Sequence, residues 1–152
     1  IHWLEEPVWP PENFRGLAEV RAKGDTAIAA GENACTAWEF QAMLAAGAVD
    51  YAQPSVTKVG GITEFRKVMT LCETHNVQLA PHSPSFGPGF LATCQLMAAA
   101  TGPIERYFGM LEASLYGDLV NPVNGYLALP SGPGLGADPS GDVMQTYRVR
   151  DA

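Results

Sequence analysis

Apolar residues along this chain come in short runs separated by helix-length amphipathic stretches, and five of the runs end on a polar side chain. The runs are Ile1–Leu4, Thr26–Ala30, Val49–Gln53, Val77–Pro81 and Pro103–Ile104. Glu5, Glu32, Ser55, His82 and Glu105 stand at their ends, at intervals of 27, 23, 27 and 23 residues. Each interval suits one strand, loop, helix and return. If the runs are parallel strands, their C-terminal ends face one way and the five side chains converge on one place.

The stretches between the runs carry helix signals. Thr36 and Glu39 read as a capping box ahead of Phe40, Met43 and Leu44, with Gly47 as the stop. Ile62, Phe65, Val68, Met69 and Cys72 form a second apolar stripe that ends at Asn76, and Phe90, Leu91, Cys94, Leu96 and Met97 a third. A shorter first helix carries Phe14, Leu17, Val20 and Arg21 behind the Pro10-Pro11 pair. The strand runs are short and mainly apolar, as expected of strands buried on both faces. This alternation predicts an α/β protein. From Gly117 to Asp142 the chain is rich in Gly, Pro, Asn and Asp, with only Tyr126–Leu129 able to make a short strand, so the last part reads as a wrapping tail. Four βα units and a fifth strand fall short of the eight strands of a closed barrel. The chain therefore reads as the C-terminal portion of a larger barrel, and a small self-contained α/β sheet is the alternative.

Composition narrows the partners. With 152 residues and 47% hydrophobic content the chain has enough apolar material for a folded core. Its net charge of −7 disfavours nucleic acid and anionic membrane surfaces and favours small molecules and metal cations. No apolar run approaches the roughly 20 residues of a membrane span, and the first residues lack the marks of a signal peptide, which gives a cytoplasmic reading. Cys35, Cys72 and Cys94 are far apart without a CxxC pair, and the two in helices read as buried thiols.

Three carboxylates, a histidine and a hydroxyl at one end of a sheet suggest metal-assisted acid/base chemistry. Strand alternation puts Trp3 and Glu5 on one face and Leu4 and Glu6 on the other, so one of the two adjacent carboxylates points into the site. Glu32 follows the small residues Ala29, Ala30 and Gly31 in a stretch without other charges, where an anion needs a cation or donor to meet it. Two such oxygen ligands suit Mg²⁺. His82, stiffened by Pro81 and Pro84, can exchange a proton near neutral pH. His2 and His75 read as structural. Lys58-Val59-Gly60-Gly61 permits a tight turn without the remainder of a phosphate loop. Glu105 with Arg106 is either a surface ion pair or a carboxylate that reaches the substrate.

Trp3-Leu4-Glu5-Glu6-Pro7, Gly31-Glu32-Asn33, the Gln53–Gly61 segment, Pro81-His82-Ser83 and Ile104-Glu105-Arg106 together resemble the mandelate racemase-like branch of the enolase superfamily. The resemblance implies a modified (β/α)7β barrel, with residues 1–116 as its second half and 117–152 as a C-terminal tail. The N-terminal capping domain and the first barrel strands would lie outside this chain. It implies Glu5 and Glu32 as Mg²⁺ ligands, with a further aspartate from an earlier strand, His82 as general acid/base, Glu105 as the carboxyl that hydrogen-bonds a substrate carboxylate, and Lys58 in support. Ser55 departs from the pattern, which has an aspartate there to orient the histidine. A serine supplies no charge, so its stabilisation of the imidazolium is weaker. Asp50 is no substitute, because it lies at the other end of its strand and in the opposite phase.

The function these implications give is Mg²⁺-dependent removal of the proton α to a carboxylate through an enediolate, followed by loss of a β-hydroxyl, as in an acid-sugar dehydratase. The alternatives are a racemase or epimerase of a hydroxy acid, or a non-catalytic metal- or ligand-binding barrel. The resemblance also implies a sugar acid as substrate and a homo-oligomer.

Overall fold

A computed structural model describes residues 1–83, 87–105 and 113–149 of the chain. Four strands, β1 (Leu4–Glu5), β2 (Ile28–Ala30), β3 (Tyr51–Ala52) and β4 (Gln78–Leu79), form a parallel sheet in that order. Glu5 lies beside Ala29, Ala29 beside Tyr51 and Tyr51 beside Gln78, so these four share one face of the sheet. Helices α1 (Phe14–Lys23), α2 (Ala37–Ala45) and α3 (Ile62–His75) connect them, and α4 (Pro88–Met97) follows β4. This is the α/β alternation that the hydrophobic pattern predicts.

The strands are shorter than their apolar runs, but backbone rungs extend the sheet toward the C-terminal ends. Glu6 N donates to Ala29 O at 3.0 Å, Gln53 N to Ala30 O at 2.9 Å and Ala80 N to Ala52 O at 2.9 Å. The expected fifth strand, Pro103–Ile104, does not form as a strand. Pro103 has no N–H to give a ladder, and one rung, Glu105 N to Pro81 O at 3.3 Å, carries the pairing forward. That rung is enough to bring Glu105 to the end of β4.

Local chemistry sets the helix ends. Asn13 accepts from Gly16 N and caps α1, taking the place expected of the proline pair. The Thr36 hydroxyl accepts from Glu39 N, and the Glu39 carboxylate accepts from Thr36 Oγ1 and from Cys35 N. Asn76, in left-handed conformation at φ 54°, ends α3 as its sequence predicts. Leu17, Ile28, Phe40, Met43, Phe65, Val68 and Cys72 fill the core between sheet and helices, whereas Ile62 of the expected stripe is 45% exposed at the start of α3. Cys72 and Cys94 are buried, and burial pushes the Cys72 thiol up to about 12, so it stays protonated and unreactive.

The described remainder holds α5 (Ala113–Tyr116), a turn of 3-10 helix over Gly117–Val120 and α6 (Gly141–Thr146), with irregular chain before α6. Part of it packs on α4: Leu127, Leu135 and Ala137 meet Phe90, Leu91 and Cys94, and Gln95 Nε2 donates to Pro130 O and Leu135 O, each at 3.1 Å. Tyr126–Leu129 forms no strand. An isolated antiparallel bridge between Val123 and Tyr126 closes a turn through Asn124 and Gly125, both at positive φ. Among the described residues no helix is long and apolar enough to cross a membrane.

Asp50 lies at the N-terminal side of β3, where Oδ1 accepts from Arg21 Nε at 2.9 Å and Arg21 Nη2 at 2.7 Å, and Oδ2 from Ile28 N at 2.9 Å. It ties α1 to the base of the sheet and is remote from the strand ends where His82 sits. The Arg21 hydrogen bonds hold the Asp50 carboxyl below its ordinary value. Stability from a depressed carboxyl is fully present above the unfolded value and is lost as pH falls through the folded one. Asp50→Asn should therefore cost about 1 kcal/mol at neutral pH, since the pair is partly exposed. Urea unfolding from pH 7 down to pH 3 should show the gap between the two proteins closing at the acid end.

Candidate active site

The end of the sheet where β1 to β4 finish gathers four of the expected side chains. Glu5, at the end of β1, turns its carboxylate toward the sheet's own polar residues: Oε2 accepts from Trp3 Nε1 at 2.9 Å and from Gln53 Nε2 at 2.8 Å. Trp3 and Glu5 share a face, as alternation predicts. Glu6 goes the other way, with φ 37°, and its carboxylate accepts from Gly31 N at 3.3 Å and Asn33 Nδ2 at 2.8 Å, tying the loop after β1 to the loop after β2.

Glu32 stands beyond β2, its side chain 25% exposed, with Oε2 3.0 Å from His82 Nδ1 and Oε1 3.9 Å from Lys58 Nζ. Gly31, just before it, has φ 126°, and a Cβ there would lie 2.7 Å from Phe40 Cε1, so only glycine lets the chain pass the Phe40 ring and present Glu32. His82 is buried, and its Nδ1 also lies 2.7 Å from Glu105 Oε2. A ring nitrogen with one carboxyl oxygen at 2.7 Å and another at 3.0 Å is placed to donate, which assigns the ring proton to Nδ1. Nε2 is then the nitrogen that can exchange one.

Ser55 lies at the same end and is buried, but its hydroxyl pairs with Thr57 Oγ1 at 3.0 Å, and its carbonyl accepts from Lys58 N and Val59 N. The residue thus builds the turn that carries Lys58 toward Glu32. The carboxylates beside His82 come from positions 32 and 105, a source that the sequence pattern did not indicate. Arg106, Pro84 and Ser85 lie outside the described residues. His2, Trp3 and Tyr51 form a triangle of rings with centroids 5.1 Å (His2–Trp3), 5.4 Å (His2–Tyr51) and 5.2 Å (Trp3–Tyr51) apart, tilted or edge-on to one another, and His75 meets Gln41 at 3.4 Å.

Glu5, His82 and Glu105 each offer a ligand atom within 4.8 Å of the others, a grouping that can hold a metal ion. The expected pair was Glu5 and Glu32; the geometry joins Glu32 to this grouping through His82. The fit to a hard divalent cation rests on Glu5. Its half-buried carboxylate is met by two neutral donors, both on Oε2, and by no lysine, arginine or histidine ion pair among the described residues. A carboxylate in that position favours a cation at its other oxygen. Trp3 and Gln53 are the residues that sequence reasoning left without a role. Gln53 lies two positions before Ser55, and that spacing is the signal that places both on one face of β3.

Residues 1–143 match the family described as enolase C-terminal domain-like. The chain is 34% identical, over 99% of its length, to the D-galactarolactone cycloisomerase of Agrobacterium fabrum, and spans 43% of that protein. The crystal structure of the 3,6-anhydro-D-galactonate cycloisomerase from Zobellia galactanivorans superposes with a TM-score of 0.81 at 32% identity, over 97% of this chain and 42% of the other. L-Talarate dehydratase from Polaromonas sp. JS666, solved with Mg and L-glucarate, gives a TM-score of 0.74 at 29% identity, over 98% and 40%. The chain belongs to the enolase superfamily, in its mandelate racemase and muconate-lactonizing-enzyme-like branch. It spans less than half the length of each of these relatives.

Proposed function

We propose that this chain supplies the acid/base half of a Mg²⁺-dependent lyase that dehydrates a sugar acid. The observation that carries the reading is the cluster of His82 and three glutamates at the C-terminal ends of parallel strands, with His82 Nδ1 fixed by Glu105 at 2.7 Å and Glu32 at 3.0 Å. Glu5 and Glu32 would hold the cation, with a further ligand from strands that this chain does not supply. A bound Mg²⁺ would act as a Lewis acid that offsets the charge developing on the substrate carboxylate. His82 delivers a proton from Nε2 to the departing β-hydroxyl. Glu105 orients the ring and would hydrogen-bond the substrate carboxylate, and Lys58 tempers the charge of Glu32. A base from strands that this chain does not supply would take the α-proton, the β-hydroxyl would leave as water with the proton from His82, and the resulting enol becomes a 2-keto-3-deoxy acid. The same reading makes the protein a cytoplasmic homo-oligomer acting on a small carboxylate, in line with the family resemblance.

A second reading, cycloisomerisation, is favoured by two of the similar proteins, both named as cycloisomerases. Both reactions begin by removing the proton α to a carboxylate. Incubating the intact protein with Mg²⁺ and a sugar-acid and lactone library in deuterated water should give a product that has lost one water and carries deuterium at C3, where the enol is protonated. A product of unchanged mass would transfer the assignment to cycloisomerisation or epimerisation. Binding with no product formed and no deuterium in the recovered substrate would identify a non-catalytic barrel.

A further inference from the structure

Gln53 is fully buried at the end of β3, and it makes one side-chain contact and leaves one undone. Its Nε2 donates to Glu5 Oε2 at 2.8 Å, while its Oε1 has no hydrogen-bond partner. A buried acceptor without a partner is costly, and an apolar side chain of the same volume would avoid that cost. Packing therefore gives no reason for an amide at this position. Its donor does, because it lands on the oxygen that Trp3 Nε1 also reaches, at 2.9 Å.

Two donors on Oε2 fix the carboxylate plane and engage that oxygen's lone pairs, and among the described residues no hydrogen bond or ion pair is made to Oε1, in a carboxylate that groups with His82 and Glu105. We propose that Gln53 and Trp3 are positioning residues that make Glu5 a one-oxygen metal ligand. This rests on the reading of the site as a divalent-cation centre. The donors come from different layers of the sheet: Trp3 precedes β1 by one residue and Gln53 follows β3 by one. Trp3 holds Glu5 from the same strand segment, and Gln53 reaches it from β3 across the small residues of β2. Gly31 and the alanines Ala29 and Ala30 leave no β2 side chain large enough to block the amide's path. Partners that fix a metal-binding carboxylate typically change metal affinity by about 10–100-fold when removed.

The test is direct metal binding on the intact protein, read by calorimetry with Mg²⁺ and by the free Mn²⁺ resonance signal. Gln53→Met keeps the volume and removes the donor, and should weaken both metals by about 10-fold or more. Because the unpaired Oε1 goes with it, the metal-free melting temperature should not fall. The unaltered protein supplies an independent readout: Mg²⁺ should shift the Trp3 indole N–H resonance, identified by its loss in Trp3→Phe, while Trp9 and Trp38, 87% and 83% exposed, stay still. Unchanged affinity in Gln53→Met, or an unmoved Trp3 resonance on saturation, would overturn the proposal. So would weaker binding accompanied by a lower metal-free melting temperature, which would make Gln53 a core residue. Glu5→Gln separates this from the underlying reading: if it too leaves metal affinity unchanged, Glu5 is not a ligand and the cation centre itself fails.

Discussion

Replacing His82 by asparagine is expected to lower kcat by about 10²–10⁴-fold, the usual contribution of a positioned proton donor, while Mg²⁺ affinity is unchanged. The ring's geometry sets the expectation. Nδ1 is engaged by Glu105 and Glu32, so the proton that moves belongs to Nε2, and asparagine has no group that can release one at neutral pH. The same ring lies within 4.8 Å of Glu5 and Glu105 and is also able to act as a ligand. Measuring kcat and metal binding on the same variant decides between the two roles. A fall in both together would make His82 part of the metal's ligand set and leave the proton to another group.

The largest expected loss of stability follows Phe40→Ala. Phe40 is fully buried on α2, in the core with Leu17, Ile28, Met43 and Phe65, and its ring edge occupies the space above Gly31. Truncating a buried phenylalanine removes its transfer free energy and leaves a cavity, at a cost of about 3–5 kcal/mol. The urea midpoint should fall accordingly with the slope unchanged. Because the ring backs the turn that presents Glu32, metal affinity should fall in the same variant. A variant that unfolds earlier yet binds Mg²⁺ as before would show that the Glu32 turn is held by Glu6 and Asn33 alone.

The sequence by itself determined the helices, the parallel order of the strand runs and the common end at which Glu5, Glu32, Ser55, His82 and Glu105 finish. These are local or periodic properties. Thr36 with Glu39 and the left-handed Asn76 mark helix ends within a few residues, and apolar stripes at helical spacing face the core wherever the helix packs. Even the separation of Glu5 from Glu6 followed from the strand's period of two. Periodicity overreached where a backbone donor was missing, and so Pro103–Ile104 gives one rung in place of a strand. It overreached again where four apolar residues had no neighbouring strand to pair with, at Tyr126–Leu129.

Only the tertiary structure decided which polar groups touch. Trp3 and Gln53 meet on one oxygen of Glu5 although 50 positions of sequence separate them. The anions beside His82 come from the loop after β2 and the segment after α4, whereas Ser55, the residue at the family's orienting position, turns its hydroxyl to Thr57. The reason is geometric. Cross-strand contacts at strand ends depend on register to within one residue and on the rotamer of each side chain, and neither is written in the spacing of apolar positions.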